Sequence, residues 1–113
     1  MIYTVTLNPA LDKTVEIPGM ALDTVNRITE MRTDPGGKGI NVSKVIAKLG
    51  GESRAVGILG GESGKMLEKL LEGEPFATRF RFVEGQTRTN IKIIDREGHT
   101  NTDINEPGLT VTD

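Results

Sequence analysis

The sequence predicts an α/β fold: a core of alternating strands and helices, with a small antiparallel β flap assembled from separate chain segments. Three observations predict it. The spacing of apolar residues switches between two-residue and helical periods along residues 40–83. Residues 55–59 form a continuous apolar run, which is typical of a strand buried on both faces. Residues 87–105 alternate around a tight turn, which indicates a polar hairpin.

The first third of the chain is predicted to contain three short strands. Residues 2–7 alternate and end at Asn8-Pro9, and a second strand follows at residues 14–17. Residues 25–31 are mixed and polar, which favours an edge position. Residues 34–39, with the sequence DPGGKG, are predicted to be irregular.

Two helices are predicted in the middle of the chain. The first has apolar residues at the i, i+3, i+4, i+7 spacing of one buried face, and Gly50 is the residue type that ends such a helix. Ser63 is predicted to cap the second helix, and residues 78–83 to form the next strand. The residues expected to be buried are Val42, Val45, Ile46 and Leu49 in the first helix and Met66, Leu67, Leu70 and Leu71 in the second.

Composition excludes several kinds of protein. The 113 residues carry a net charge of −2, which does not favour a nucleic-acid or anionic-membrane partner. There is no cysteine, so disulfides, thiolate catalysis and cysteine metal sites are excluded. No apolar run approaches the roughly 20 residues of a membrane helix. The opening residues do not resemble a secretory signal, so we expect a cytoplasmic protein.

The glycine-rich segment at the start of the first helix, GGKGIN, is the strongest local signal of a binding site. Glycines at a helix N-terminus let a ligand approach the backbone, and the free N–H groups favour anions. Lys38 adds a positive charge, and Asn41 offers a donor and an acceptor for hydroxyl groups. These two side chains favour a ligand site over the alternative, a loop that only needs unusual dihedral angles.

Neither glycine-rich turn fits the Walker A pattern for nucleotide phosphates. Gly39 stands where the motif needs Ser or Thr after Lys38. The second turn, residues 60–65, lies between a predicted strand and a helix, but its glycine spacing is one residue short and Met66 replaces the hydroxyl residue. A capped strand-to-helix turn explains it better.

Two further groups of polar residues are candidates for sugar and phosphate binding. Arg88 and Asn90 share one face of a predicted strand, where an Arg suits a phosphate and an Asn suits a hydroxyl. Asp12 follows the end of a predicted core strand, where open α/β sheets bind ligands. The alternatives are a solvated strand face for the first pair and a capping residue for Asp12.

Five stretches together resemble the phosphofructokinase B branch of the ribokinase-like sugar kinases, in which 1-phosphofructokinases and tagatose-6-phosphate kinases are the most similar members. The stretches run along the whole chain in order: TLNPALDKT, VNR, PGGKGINVS, TRTN and TDINEPG. The resemblance implies a three-layer αβα core, of which this chain would hold the N-terminal part. It also implies a small antiparallel β lid over the sugar, built from segments near 13–18, 26–32, 88–95 and 99–105.

The same resemblance implies roles for individual residues. Asp12 and Asn41 would bind sugar hydroxyls, and the backbone of Gly37, Lys38 and Gly39 would contact the sugar. Lys38 and Arg88 would lie near its phosphate, with Asn90 beside Arg88 and Arg27 as a further candidate. No catalytic residue and no metal ligand are expected among the 113 residues. ATP and Mg²⁺ would bind a C-terminal part of the complete enzyme, so we expect the chain alone to be inactive.

The implied reaction is phosphoryl transfer from ATP to a ketose phosphate. Fructose 1-phosphate, which would give fructose 1,6-bisphosphate, is the preferred acceptor, and tagatose 6-phosphate is the alternative. A hypothesis of another class is a non-catalytic module for binding sugar phosphates or for dimerisation. In either case the lid is expected to pair two subunits in a homodimer.

Overall fold

The computed structural model describes residues 1–109, which form two β-sheets and two helices. The parallel sheet has the strand order β1-β4-β5, and the lid sheet has the order β3-β2-β6-β7. In chain order the elements are β1 (Ile2–Thr6), β2 (Ala10–Glu16), β3 (Glu30–Gly36), α1 (Lys38–Lys48), β4 (Ser53–Gly60), α2 (Gly61–Leu71), β5 (Ala77–Val83), β6 (Arg88–Asp95) and β7 (Thr100–Asn105).

The parallel sheet and its helices form the main core. Helix α1 packs on β1 and β4, while α2 packs on β4 and β5, as consecutive strand–helix–strand crossovers require. Leu59 on β4 meets Leu67 and Leu71 of α2, and Ile40 of α1 joins them. Leu11 of β2 completes this cluster, so the core also anchors the lid.

The buried face of α1 differs from the predicted one. Val42, Val45 and Leu49 are 49%, 55% and 82% exposed, whereas Ser43 is fully buried. The Ser43 hydroxyl lies 2.7 Å from that of Thr4 and accepts a hydrogen bond of 2.9 Å from Ser53. Because these hydroxyls satisfy one another, the helix turns a polar residue towards the sheet, and the prediction from apolar spacing was wrong.

Helices cover only one face of the parallel sheet within residues 1–109. Ala55 and Leu59 are buried beneath them, but Val56 and Ile58 on the other side of β4 are half-buried. Val5 of β1, in register with Val56, is exposed on that side. The expectation of burial on both faces is therefore not met here, and the described residues supply two of the three layers of the predicted core.

The lid strands begin elsewhere than the sequence pattern predicted. Strand β2 starts at Ala10 rather than at residue 14, so Asp12 lies within a strand. Residues 21–29 are irregular, and β3 continues through Pro35 and Gly36, which were predicted to be loop. Among residues 1–109, strand β3 lies at a sheet edge and pairs only with β2, and edge strands tolerate proline.

The back of the lid sheet has its own small core and an anchored corner. Val15, Ile17 and Ile93 pack together there. The predicted hairpin is confirmed, since β6 and β7 pair antiparallel. At its turn the Asp95 carboxylate accepts backbone hydrogen bonds from Gly98 at 2.9 Å and from the segment that follows β2 at 3.0 Å. These hydrogen bonds, of which the one from Gly98 has the largest effect, hold the pKa of Asp95 below its ordinary value.

Neither helix reaches the length and apolarity that a membrane span needs.

Candidate functional site

A cavity of about 440 Å³ lies between the inner face of the lid sheet and helix α1. Its walls come from four lid strands and one helix, so it forms only when the two sheets are in place. Most of the side chains around it are polar or charged. They are Asp12, Lys13, Thr14, Arg32, Asp34, Pro35, Asn41, Lys44, Asn90, Ile91, Lys92, Asp103 and Asn105.

Asp12 occupies the centre of β2, where the missing side chain of Gly36 leaves room for it. The two residues lie on paired strands, and the Asp12 carboxylate covers the Gly36 backbone. A Cβ atom at Gly36 would stand 2.6 Å from Cγ of Asp12 and still closer to its Oδ2. Gly36 is therefore required by a neighbouring side chain and not by its own backbone conformation.

Asn41 reaches the cavity from the first turn of α1, whose start is fixed against β1. The backbone N–H of Ile40 donates to the Thr6 hydroxyl at 3.1 Å. A Cβ atom at Gly39 would lie 2.7 Å from the carbonyl oxygen of Val5, so this glycine allows close contact between helix and strand. Gly37 has φ of 139°, a conformation that favours glycine. The glycines thus position Asn41.

Asn90 lies beside Asp12 on the neighbouring lid strand, and its side-chain oxygen is buried and unpaired within residues 1–109. The two residues are in register on parallel neighbouring strands, which places both side chains on the same face about 4.8 Å apart along the sheet. Within residues 1–109, Oδ1 of Asn90 is buried and has no hydrogen-bond donor. Because a buried amide oxygen normally has a donor, a ligand hydroxyl is a suitable partner.

The predicted phosphate contacts do not line this cavity. One Arg88 nitrogen, Nη2, donates to the carbonyl oxygen of Asn8 at 3.1 Å. Lys38 is exposed at the start of α1, and Arg27 is exposed in the irregular segment rather than on a lid strand. Their roles at the phosphate stay predictions.

Several cavity residues were not singled out from the sequence, although weak signals for two of them existed. Lys92 continues the two-residue period of Arg88 and Asn90, and Lys44 follows Asn41 by three residues on one helix face. Four more depend on where β3 and β7 pair, which local pattern does not reveal. They are Arg32, Asp34, Asp103 and Asn105.

The described residues contain no cluster of metal ligands, and the second glycine-rich turn makes its hydrogen bonds within the chain. Within residues 1–109, no three acidic or histidine side chains come together as a metal site requires. At the second glycine-rich turn, the side-chain oxygen of Gln86 accepts hydrogen bonds from the backbone and hydroxyl of Ser63, at 3.3 and 3.2 Å. These bonds connect the turn to the segment before β6, and the Ser63 hydroxyl donates to that segment, also to the carbonyl oxygen of Thr87 at 2.6 Å, instead of capping α2.

Known proteins share both the sequence and the fold. Residues 5–110 match the family model of the pfkB family carbohydrate kinases. A 1-phosphofructokinase of Xanthomonas campestris is 40% identical over 106 residues, which are 94% of this chain and 33% of the relative. The 1-phosphofructokinase of Bacillus subtilis is 39% identical over all 113 residues, which are 36% of its length. The chain thus spans about a third of these relatives.

Solved structures agree with this match. A possible 1-phosphofructokinase of Thermotoga maritima superimposes with a TM-score of 0.87 at 47% identity, covering 100% of this chain and 37% of that one. Phosphofructokinase-2 of Escherichia coli, solved with fructose-6-phosphate, gives a TM-score of 0.91 at 32% identity, covering 99% and 37%. The fold is ribokinase-like, as predicted, and the chain belongs to the pfkB family of carbohydrate kinases.

Proposed function

We propose that this chain forms the acceptor-sugar site of an ATP-dependent 1-phosphofructokinase. The observation that carries the proposal is the convergence of Asp12, Asn41 and Asn90 on one cavity, with Oδ1 of Asn90 buried and unpaired within residues 1–109. A carboxylate accepts hydrogen bonds from neighbouring hydroxyls, and amides both donate and accept. This set of groups suits a polyhydroxylated ligand.

The chemistry of kinases agrees with a chain that orients the acceptor sugar while other residues of the enzyme bind ATP. Phosphoryl transfer depends mainly on positioning and charge neutralisation, so a segment that orients the acceptor hydroxyl contributes directly to the rate. ATP and Mg²⁺ would act from residues outside this chain, and that the 113 residues alone lack activity stays a prediction. The names of the two bacterial relatives favour fructose 1-phosphate over tagatose 6-phosphate as the acceptor. A cytoplasmic location is part of the proposal.

We also propose that the lid pairs two subunits. The lid carries exposed apolar side chains, Met31 and Ile104, at 60% and 51% exposure. Met31 lies on β3 and Ile104 on β7, the two edge strands of the lid sheet, where pairing with another chain is least hindered. A tetrameric form is known for phosphofructokinase-2 of Escherichia coli. Sedimentation of the protein and of a Met31→Lys variant would test this assembly.

Steady-state kinetics test the proposed acceptor site. In the protein expressed from its complete gene, Asp12→Ala and Asn41→Ala should each lower kcat/KM for fructose 1-phosphate by about 1.5–3 kcal/mol, the scale of losing a hydrogen bond to a charged or buried group. Lys48→Ala, at the exposed end of α1, serves as the control. Near-normal kinetics in both variants would remove these residues from the site. A preference for tagatose 6-phosphate or free sugars would contradict the acceptor assignment.

A further inference from the structure

The first residues of β6 carry two buried side-chain atoms that have no hydrogen-bond partner within residues 1–109. They are Nε of Arg88 and Oδ1 of Asn90. Buried polar atoms normally have partners, so two unpaired ones on a three-residue segment indicate a place where a ligand completes the hydrogen bonding. Such atoms can meet a ligand in a fixed geometry only if the backbone of residues 88–90 is itself held in place.

The segment before β6 is fixed to the core through Thr87, which is buried. Its backbone N–H donates to the carbonyl oxygen of Gly60 at 2.9 Å, and its hydroxyl accepts a hydrogen bond of 2.9 Å from the N–H of Gly60. This exchange connects the start of β6 to the end of β4. It stops one residue before Arg88, so the next residues of β6 need other contacts.

On the β7 side, a side chain continues the strand pairing where the backbone of β7 stops. The ladder between β6 and β7 reaches Asn90 opposite Asn105, and the same register would next place Thr89 opposite Glu106. Strand β7 ends there, just before Pro107, which has no N–H to contribute to a ladder. Oε1 of Glu106 instead accepts a hydrogen bond from the backbone N–H of Thr89 at 2.6 Å. The carboxylate thus adds one bond to the ladder.

This bond acts on the part of the backbone that carries the unpaired atoms. The N–H of Thr89 belongs to the planar peptide unit between residues 88 and 89, so the bond orients that plane. The direction in which the side chains on either side of Thr89 leave the backbone depends on this orientation. A hydrogen bond to a carboxylate is also stronger than one between neutral groups. Glu106 can therefore control the geometry of Asn90 without touching a ligand.

We propose that Glu106 is a positioning residue of the acceptor site, which holds the start of β6 so that Asn90 presents Oδ1 to a sugar hydroxyl. This inference rests on the proposed acceptor site. Glu106 is not among the residues that line the cavity, whereas its neighbour Asn105 is. The effect of Glu106 on the ligand is transmitted through the backbone of Thr89.

Kinetics of the protein expressed from its complete gene test this role. Glu106→Ala should lower kcat/KM for fructose 1-phosphate about three- to tenfold, less than the loss of a fully buried bond to a charged group because Glu106 is exposed. Glu106→Gln should retain most of the activity, since its side-chain oxygen is an acceptor at the same reach. Glu97→Ala, at an exposed carboxylate in the turn of the same hairpin, should match the unmodified protein.

A double-mutant cycle with Asn90 separates positioning from general stabilisation. If Glu106 acts through Asn90, Glu106→Ala should cause little further loss of kcat/KM in the Asn90→Ala background. The midpoint of thermal unfolding should change by less than about 3 °C in Glu106→Ala.

The outcomes distinguish this inference from the proposed function. If the unmodified protein does not phosphorylate fructose 1-phosphate, the proposed function fails. If it does and Glu106→Ala is equally active, only the role of Glu106 is overturned. Losses that add in the cycle, or a Glu106→Gln variant as impaired and as heat-sensitive as Glu106→Ala, would show that Glu106 only stabilises the lid sheet.

Discussion

If the cavity is the proposed acceptor site, replacing Gly36 by alanine should disable it without unfolding the protein. The added methyl carbon would stand 2.6 Å from Cγ of Asp12. Carbon atoms need about 3.5–4.0 Å, so the carboxylate must move by about 1 Å or more. Gly36 lies in extended β3 and its φ is not positive, so alanine fits its backbone and should change stability by less than about 1 kcal/mol. Affinity for fructose 1-phosphate should fall by about 1.5–3 kcal/mol, as if Asp12 were removed.

A double-mutant cycle decides whether this reasoning holds. If Gly36→Ala acts only by displacing Asp12, the double variant with Asp12→Ala should bind the sugar phosphate no worse than Asp12→Ala alone, although independent losses would sum to about 3–6 kcal/mol. Calorimetric titration gives the affinities, and thermal unfolding gives the stabilities. Gly73→Ala is the matched control, since an added Cβ there meets no atom within 4 Å. Additive losses, or wild-type affinity in Gly36→Ala, would refute the displacement argument.

Two further predictions concern stability. Ser43→Ala should lower the free energy of unfolding, measured in urea, by about 1–3 kcal/mol, because the buried hydroxyls of Thr4 and Ser53 lose their partner. As a control, Val42→Ala, at a side chain that is 49% exposed, should lower it by less than about 0.5 kcal/mol. Equal losses in the two variants would contradict the hydroxyl network. The pKa of Asp95 lies below its ordinary value of 3.8, so this carboxylate stabilises the fold above that pH and the contribution disappears as pH falls through the lower folded pKa. Unfolding measured from pH 7 to about pH 2, which extends below 3.8, should therefore show a smaller acid-induced loss in Asp95→Asn, and parallel pH profiles would rule the mechanism out.

The sequence predicted which segments are strands or helices better than it predicted where they start and which side they bury. Apolar spacing is a local signal, and it located α2 with Leu67 and Leu71 in the core, whereas Met66 and Leu70, which it also assigned to the buried face, are 54% and 39% exposed. The same signal failed for α1. Ser43 is buried because its partners, Thr4 and Ser53, lie 39 and 10 residues away, and local spacing cannot reveal such pairs.

The candidate site was predicted only in part, again because local patterns do not reveal contacts between distant segments. Asp12, Asn41 and Asn90 were chosen by residue type and position, and the structure brings all three to one cavity. Lys44, which lines the same cavity, was missed because its contact is with the end of β3, which the sequence pattern assigned to a loop. Chemistry that depends on one segment can be inferred from sequence, whereas chemistry at a junction of segments requires the fold.

The parallel pairing of β2 with β6 affects the order in which the protein can fold. Residue 10 pairs with residue 88, and both helices and two of the three strands of the parallel sheet, β4 and β5, lie between them in the chain. Closing so long a loop carries an entropic cost that is recovered only after the intervening units have become compact. We therefore expect the lid, and the cavity beneath it, to form late in folding. Because Asp12 and Asn90 become neighbours only through this pairing, the proposed acceptor site would exist only in the fully folded chain and not in its partly folded precursors.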